Sequence, residues 1–206
     1  MDLKRFKKMP IMGILRVEGP LPVEEIVETV IGSGLEAIEI AMNSYHAASL
    51  IRRAVKASGG KLMIGAGTVL SRRVLEEALR AGATFIVMPV LVRDIVKTCV
   101  GRKIPVFPGA FSPGEVYEAW AEGATMVKVF PAGMLGPSYI KELKAPFQDI
   151  EILACGGISA ENIKAYFSNG ASAVAFGASI FRKEWLENKD FDNIRRSIKN
   201  LIANAK

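Results

Sequence analysis

The 206-residue chain has one histidine, His46, and two cysteines, Cys99 and Cys155. A single imidazole is too little for a histidine-built metal centre and argues against a Ser-His-Asp triad. Two cysteines make neither a disulfide framework nor a thiolate metal cluster. No apolar run reaches the roughly 18 residues of a membrane helix. The basic start, MDLKRFKKMP, leads into no apolar stretch or small-residue cleavage site, so a cytoplasmic protein is expected. Linkers and low-complexity stretches are also missing, and one domain over 1–206 is expected.

Half the residues are apolar and 23% are charged, the balance of a globular chain. The net charge is +6. Its arginines fall in isolated pairs (Arg52-Arg53, Arg72-Arg73, Arg195-Arg196) on helix-like segments without interleaved aromatics. They read as solvated helix faces rather than a nucleic-acid surface. A mild attraction for a small anionic substrate is also consistent with them.

Eight short apolar runs punctuate the chain: 10–16, 37–42, 62–69, 85–89, 104–110, 126–131, 151–157 and 173–179. Between them lie amphipathic stretches that end in glycine. Ser71, Ser112 and Ser159 stand at helix-start positions, and Glu115 completes a capping box with Ser112. FDNIRRSIKNLIANA reads as a last helix, with Ile194, Ile198, Leu201 and Ile202 at helical spacing. Eight βα units predict a (β/α)8 TIM barrel. An open doubly wound sheet would share the alternation, but no G-x-G-x-x-G follows the first strand.

A barrel of this kind carries its chemistry at the C-terminal ends of its strands. Two ionisable residues interrupt apolar strands, Glu39 between Ile38 and Ile40 and Lys128 between Val127 and Val129. An unpaired buried charge is costly, so the pair is either an interior ion pair or a reactive centre. A lysine in an apolar pocket is expected to have a depressed pKa and to add to a ketone as a Schiff base. A nearby carboxylate then moves the protons. Lys128 and Glu39 therefore form a metal-free kit for making or breaking a C–C bond beta to an iminium.

Other strand ends suggest substrate contacts. Gly156 and Gly157 after the seventh run, and Gly177 and Ser179 after the eighth, suit a phosphate. Arg16 and Thr68 either hold a carboxylate or, for Arg16, close a salt bridge at the rim. Pro89 ends the fourth run. Phe130 shares a face with Lys128 and packs on substrate or on core. Cys155 ends the seventh run, where it can line a pocket. Cys99 reads as helix packing, and His46 as a surface residue early on a helix.

ILR (14–16), IEI (38–40), GAGTV (65–69), KVFPA (128–132), GPSYIKELKAPF (136–147), CGGIS (155–159) and FGAS (176–179) resemble, in order and spacing, the 2-keto-3-deoxy-6-phosphogluconate aldolase family. That resemblance implies Lys128 as Schiff-base lysine and Glu39 as general acid/base. It implies reversible cleavage of a phosphorylated keto acid to pyruvate and D-glyceraldehyde 3-phosphate, without a metal or other cofactor, by a homotrimer. Asn43 stands where the gluconate enzymes have arginine, and Cys155 where they have threonine. The Asn43-Ser44 version, together with GPSYIKELKA, looks like the 6-phosphogalactonate branch, and galactonate preference or dual specificity is the expectation. Alternatives are a 4-hydroxy-2-oxoglutarate aldolase, another phosphate-binding barrel enzyme, and a non-catalytic phosphosugar binder.

Overall fold

The computed structural model describes residues 1–205; Lys206, the last residue of the expected domain, lies outside them. Nine strands form one parallel sheet: β1 (Ile11–Leu15), β2 (Ala37–Ala41), β3 (Met63–Gly67), β4 (Ile86–Val87), β5 (Val106–Phe107), β6 (Gly109–Ala110), β7 (Val127–Val129), β8 (Ile152–Cys155) and β9 (Ala173–Phe176). Their order is β5-β4-β3-β2-β1-β9-β8-β7-β6. The two ends of that order, β5 and β6, are halves of a single stave interrupted at Pro108, which has no N–H to give to a ladder. β5 bonds to β4 and β6 bonds to β7, so the eight expected runs make the eight staves of a nearly closed barrel. The carbonyl of Pro108 still accepts from the amide of Lys128 at 2.8 Å.

Helices α2 (Val23–Ser33), α3 (Ala47–Ser58), α4 (Arg72–Arg80), α5 (Arg93–Gly101), α6 (Pro113–Ala121), α7 (Pro137–Lys144), α8 (Ile163–Ser168), α9 (Lys183–Glu187) and α10 (Phe191–Asn204) follow the staves. Ser71 accepts from the amide of Val74 as an N-cap, and Ser112 and Glu115 close the capping box. Ser159 does not cap a helix. Instead Asn162 accepts from the Ser159 amide and donates to the carbonyl of Gly157, holding 159–162 as a turn, and α8 begins at Ile163. Ile194, Ile198 and Leu201 of α10 are buried and Ile202 is half-buried.

Strand side chains alternate between two cores. Outward-facing residues such as Ile38, Ile40, Val127, Val129, Ile152 and Val174 pack under the helices. Met12, Ala37, Met63, Phe85, Phe107, Met126, Leu153, Ala173 and Ala175 fill the interior. Both faces are covered, which is why the strands read as unbroken apolar runs. Gly65 fits this core because the ring of Phe85 occupies the place of its missing Cβ.

A short helix, α1 (Leu3–Lys8), closes the N-terminal end of the barrel. Its Phe6 is fully buried in the interior cluster, edge-on to Phe107 at 6.3 Å between centroids. Arg5 to Glu36 (2.7 Å) and Lys7 to Glu151 (2.6 Å) pin the helix there.

Candidate active site

The two-residue period that sends Met12 and Ile14 inward brings Arg16 to the C-terminal mouth. The same count carries β2 from Ala37 to Glu39, β7 from Met126 through Lys128 to Phe130, and β9 from Ala173 to Gly177. Arg16, Glu39, Lys128, Phe130 and Gly177 line a cavity of about 840 Å³ at the mouth, together with Thr68, Pro89, Gly156, Gly157 and Ser179. Its floor is the packed interior; its rim is the strand-to-helix loops.

Glu39 is 2% exposed and Lys128 is 7% exposed. Oε2 of Glu39 is buried without a hydrogen-bond partner, an expensive state that a bound hydroxyl or water would relieve. Burial raises the pKa of Glu39 above its usual value, and the positive charges of Lys128 and Arg16 offset this only in part. For Lys128, burial works against the ammonium form, but Glu39 and Cys155 outweigh it and the amine pKa stands above its usual value. Burial also pushes the Cys155 thiol up to about 11, so near neutrality it is uncharged and the hold on Lys128 is that of Glu39. The depressed lysine expected from burial alone is thus corrected by the carboxylate beside it.

The Nζ of Lys128 lies 5.3 Å from the centre of the Phe130 ring, within reach of its π-face. Across the mouth, Nη2 of Arg16 donates to Oγ1 of Thr68 at 3.5 Å, the loose end of hydrogen-bond range. Thr68 holds φ +57°, an uncommon conformation for a β-branched residue. Such strain clusters where a fold fixes a functional side chain.

Gly156 and Gly157 have φ +92° and +76°. A Cβ on Gly156 would press against the Phe130 ring, and one on Gly157 would press against Cα of Gly133. The turn after β9 is fixed by Ser179, whose Oγ donates to the carbonyl of Ile158 at 3.0 Å. The amides of Ile180 and Phe181 donate to the carbonyl of Gly177, whereas those of Gly157, Ala178 and Ser179 donate to no group among the described residues. Free amides flanked by glycine make an anion cradle.

Ten of the twelve residues singled out from the sequence meet in this cavity. Cys155 does not line it; the thiol is buried beneath, beside Lys128. Asn43 does not line it either, because the chain turns at the end of β2 and leaves that residue exposed. His46 is exposed at the residue before α3, and Cys99 is buried on α5. Sequence reasoning missed the contributions that follow two strands: Glu18, Pro20 and Leu21 after β1, and Phe181 with Lys183, Leu186 and Glu187 of α9 after β9. The mixed run FRKEWLE after FGAS is the signal that was there to read. No group of three or more His, Cys, Asp or Glu residues able to hold a metal occurs among the described residues.

The family model for KDPG and KHG aldolase matches residues 3–197. The 2-dehydro-3-deoxy-6-phosphogalactonate aldolase of Escherichia coli (strain K12) is 35% identical over 176 residues, which is 85% of this chain and 86% of that protein. The 2-dehydro-3-deoxy-phosphogluconate aldolase of Haemophilus influenzae is 33% identical over 202 residues, 97% of this chain and 93% of that one. A solved structure described as native KDPGal superposes with a TM-score of 0.88 at 31% identity, covering 96% of this chain and 94% of its own.

Proposed function

The chain belongs to the KDPG and KHG aldolase family and is a carbon–carbon lyase; we propose that it reversibly cleaves a 2-keto-3-deoxy-6-phospho sugar acid to pyruvate and D-glyceraldehyde 3-phosphate, through a Schiff base on Lys128. The observation that carries this is the burial of Lys128 and Glu39 in one cavity whose rim holds the glycine cradle. Nζ of Lys128 attacks C2 of the keto acid, and the carbinolamine loses water to give an iminium. Lys128 must first shed a proton, and Glu39, whose proton affinity is raised by burial, is the nearby acceptor. Glu39 returns that proton to the departing hydroxyl of the carbinolamine and, ionised again, takes the proton of the C4 hydroxyl, directly or through water. The C3–C4 bond breaks, its electron pair moves into the iminium, and the aldehyde departs. Protonation of the enamine at C3 and hydrolysis of the imine return pyruvate and the free lysine.

Arg16 and Thr68 would hold the carboxylate, with Pro89 and Phe130 as apolar walls. The amides about Gly157 and Ser179, with Gly156 and Gly177 giving backbone access, would take the phosphate. This chemistry calls for no cofactor. One cytoplasmic domain over 1–206 and a homotrimer complete the reading. Exposed Phe111, Tyr117, Met134 and Leu135 supply apolar surface that a trimer would cover.

Galactonate preference or dual specificity is the expectation on this reading, because Asn43 and Cys155 stand where the gluconate enzymes have arginine and threonine. A site that hydrogen-bonds a substrate hydroxyl discriminates strongly, and one without that partner does so less. Borohydride reduction in the presence of pyruvate should trap an adduct that maps to Lys128. Active protein without an adduct would refute the mechanism. Kinetics with both epimers tests the branch, and a clear gluconate preference overturns it.

A further inference from the structure

Resting on the phosphate reading of the glycine cradle, we infer that Lys183 is the counter-charge for the substrate phosphate and that Glu18 holds it in place until substrate arrives. The segment after β9 runs from the cradle at Gly177–Ser179 directly into α9, whose first residue is Lys183. Lys183 lines the same cavity, and its Nζ meets Oε2 of Glu18 at 3.2 Å. Glu18 sits on the loop after β1, the strand that neighbours β9. The ammonium is therefore held at the rim of the cavity, beside the turn that follows β9.

The charges at this end of the cavity argue for its role. Glu18 and Glu187 both line it, and Glu187 Oε1 lies 4.0 Å from the same Nζ. Arg16 and Lys128 are committed to the carboxylate and the imine. A phosphate dianion entering beside two carboxylates would be repelled unless a cation stood between them. Among the described residues lining the cavity, Lys183 is the cation left to do so. The side chains of Lys183 and Glu18 are 71% and 86% exposed, so their pairing is weak enough to exchange. A phosphate held by backbone amides is a better partner than a solvated glutamate, and Lys183 transfers from one to the other.

The test compares kcat/KM for 2-keto-3-deoxy-6-phosphogalactonate and for its unphosphorylated counterpart. In Lys183→Met, the preference for the phosphorylated substrate should fall about ten-fold or more, mainly through KM, with a shallower dependence on salt. Lys183→Arg should restore most of it. Glu18→Gln should lower KM for the phosphorylated substrate about two- to five-fold. If the parent protein prefers the phosphorylated substrate and Lys183→Met keeps that preference and its salt dependence, Lys183 is not the counter-charge, while the cradle stands. If the parent shows no preference, the phosphate reading fails and the inference falls with it.

Discussion

Gly67 lies so close to Glu39 that a Cβ on it would stand 2.5 Å from Oε1 of the carboxylate. The two face each other across the β2–β3 pairing, where Glu39 sits opposite Gly65 and Ala41 opposite Gly67. The glycine leaves room for the one acid that the proposed chemistry requires.

Gly67→Ala should therefore injure catalysis more than folding. Glu39 must turn away, and losing a positioned acid/base costs roughly 10²-fold or more in kcat. The crowding itself costs about 1–3 kcal/mol. Circular dichroism and turnover measured on one preparation check this, and unchanged kcat would mean that Glu39 does not act from its observed position.

Replacing Lys128 by Met should remove both aldolysis and the borohydride adduct while the barrel still folds. Met fills similar volume, and Val127 and Val129 keep their places under the helices. An adduct that survives on another lysine would move the chemistry elsewhere.

The raised pKa of Glu39 gives Glu39→Gln a pH-dependent stability. The fold favours the protonated acid, so its stabilising contribution is complete below the ordinary value of 4.5 and is lost as pH climbs through the higher folded value. Gln mimics the protonated form and suffers no such loss. The variant should match the parent near pH 4 and exceed it near pH 8, by about 2–4 °C in Tm for each kcal/mol regained. A variant less stable than its parent at pH 8 would show that Glu39 is favoured as an anion.

Both cysteines should be unreactive in the native protein. Burial raises Cys99 and Cys155 each to about 11, which leaves almost no thiolate at neutral pH. A thiol titration near pH 7.5 should count neither before denaturation and both after it. Rapid labelling of Cys155 in the folded protein would contradict the enclosed thiol described here.

Thr68→Gly should relieve the strain at φ +57° and remove the hydroxyl beside Arg16. The expected outcome is a KM for pyruvate, measured in the condensation direction, several-fold higher, with Tm no lower than the parent's. A fall in Tm with KM unchanged would give Thr68 a purely structural role.

The barrel and the buried Glu39 and Lys128 of its cavity were legible because both depend on short periods. A stave covered on both faces announces itself as a run of Val and Ile, and a Glu or Lys inside such a run stands out. Pro108 was visible in IPVFPGA, but that it divides a stave depends on ladder bonds to two neighbours. Ser159 has a capping residue's chemistry, and Asn162 won the competition by bonding both Ser159 and Gly157. The α1 helix escaped notice because six residues with one buried side chain carry no periodicity. Glu18 and Lys183 were hidden for another reason: they are 165 positions apart, one on a loop and one at the start of α9, and only barrel closure makes them neighbours.

The plug formed by α1 also governs traffic. With Phe6 and Phe107 filling the lower barrel, the reaction chamber has one door. On the proposed mechanism, whatever is tethered to Lys128 lies at the inner end of that passage, and its reaction partner lies nearer the door. Cleavage products would then leave in sequence, aldehyde ahead of pyruvate, and in the reverse direction pyruvate would enter first. A six-residue helix at the opposite end of the molecule thus leaves the mouth as the way in and out.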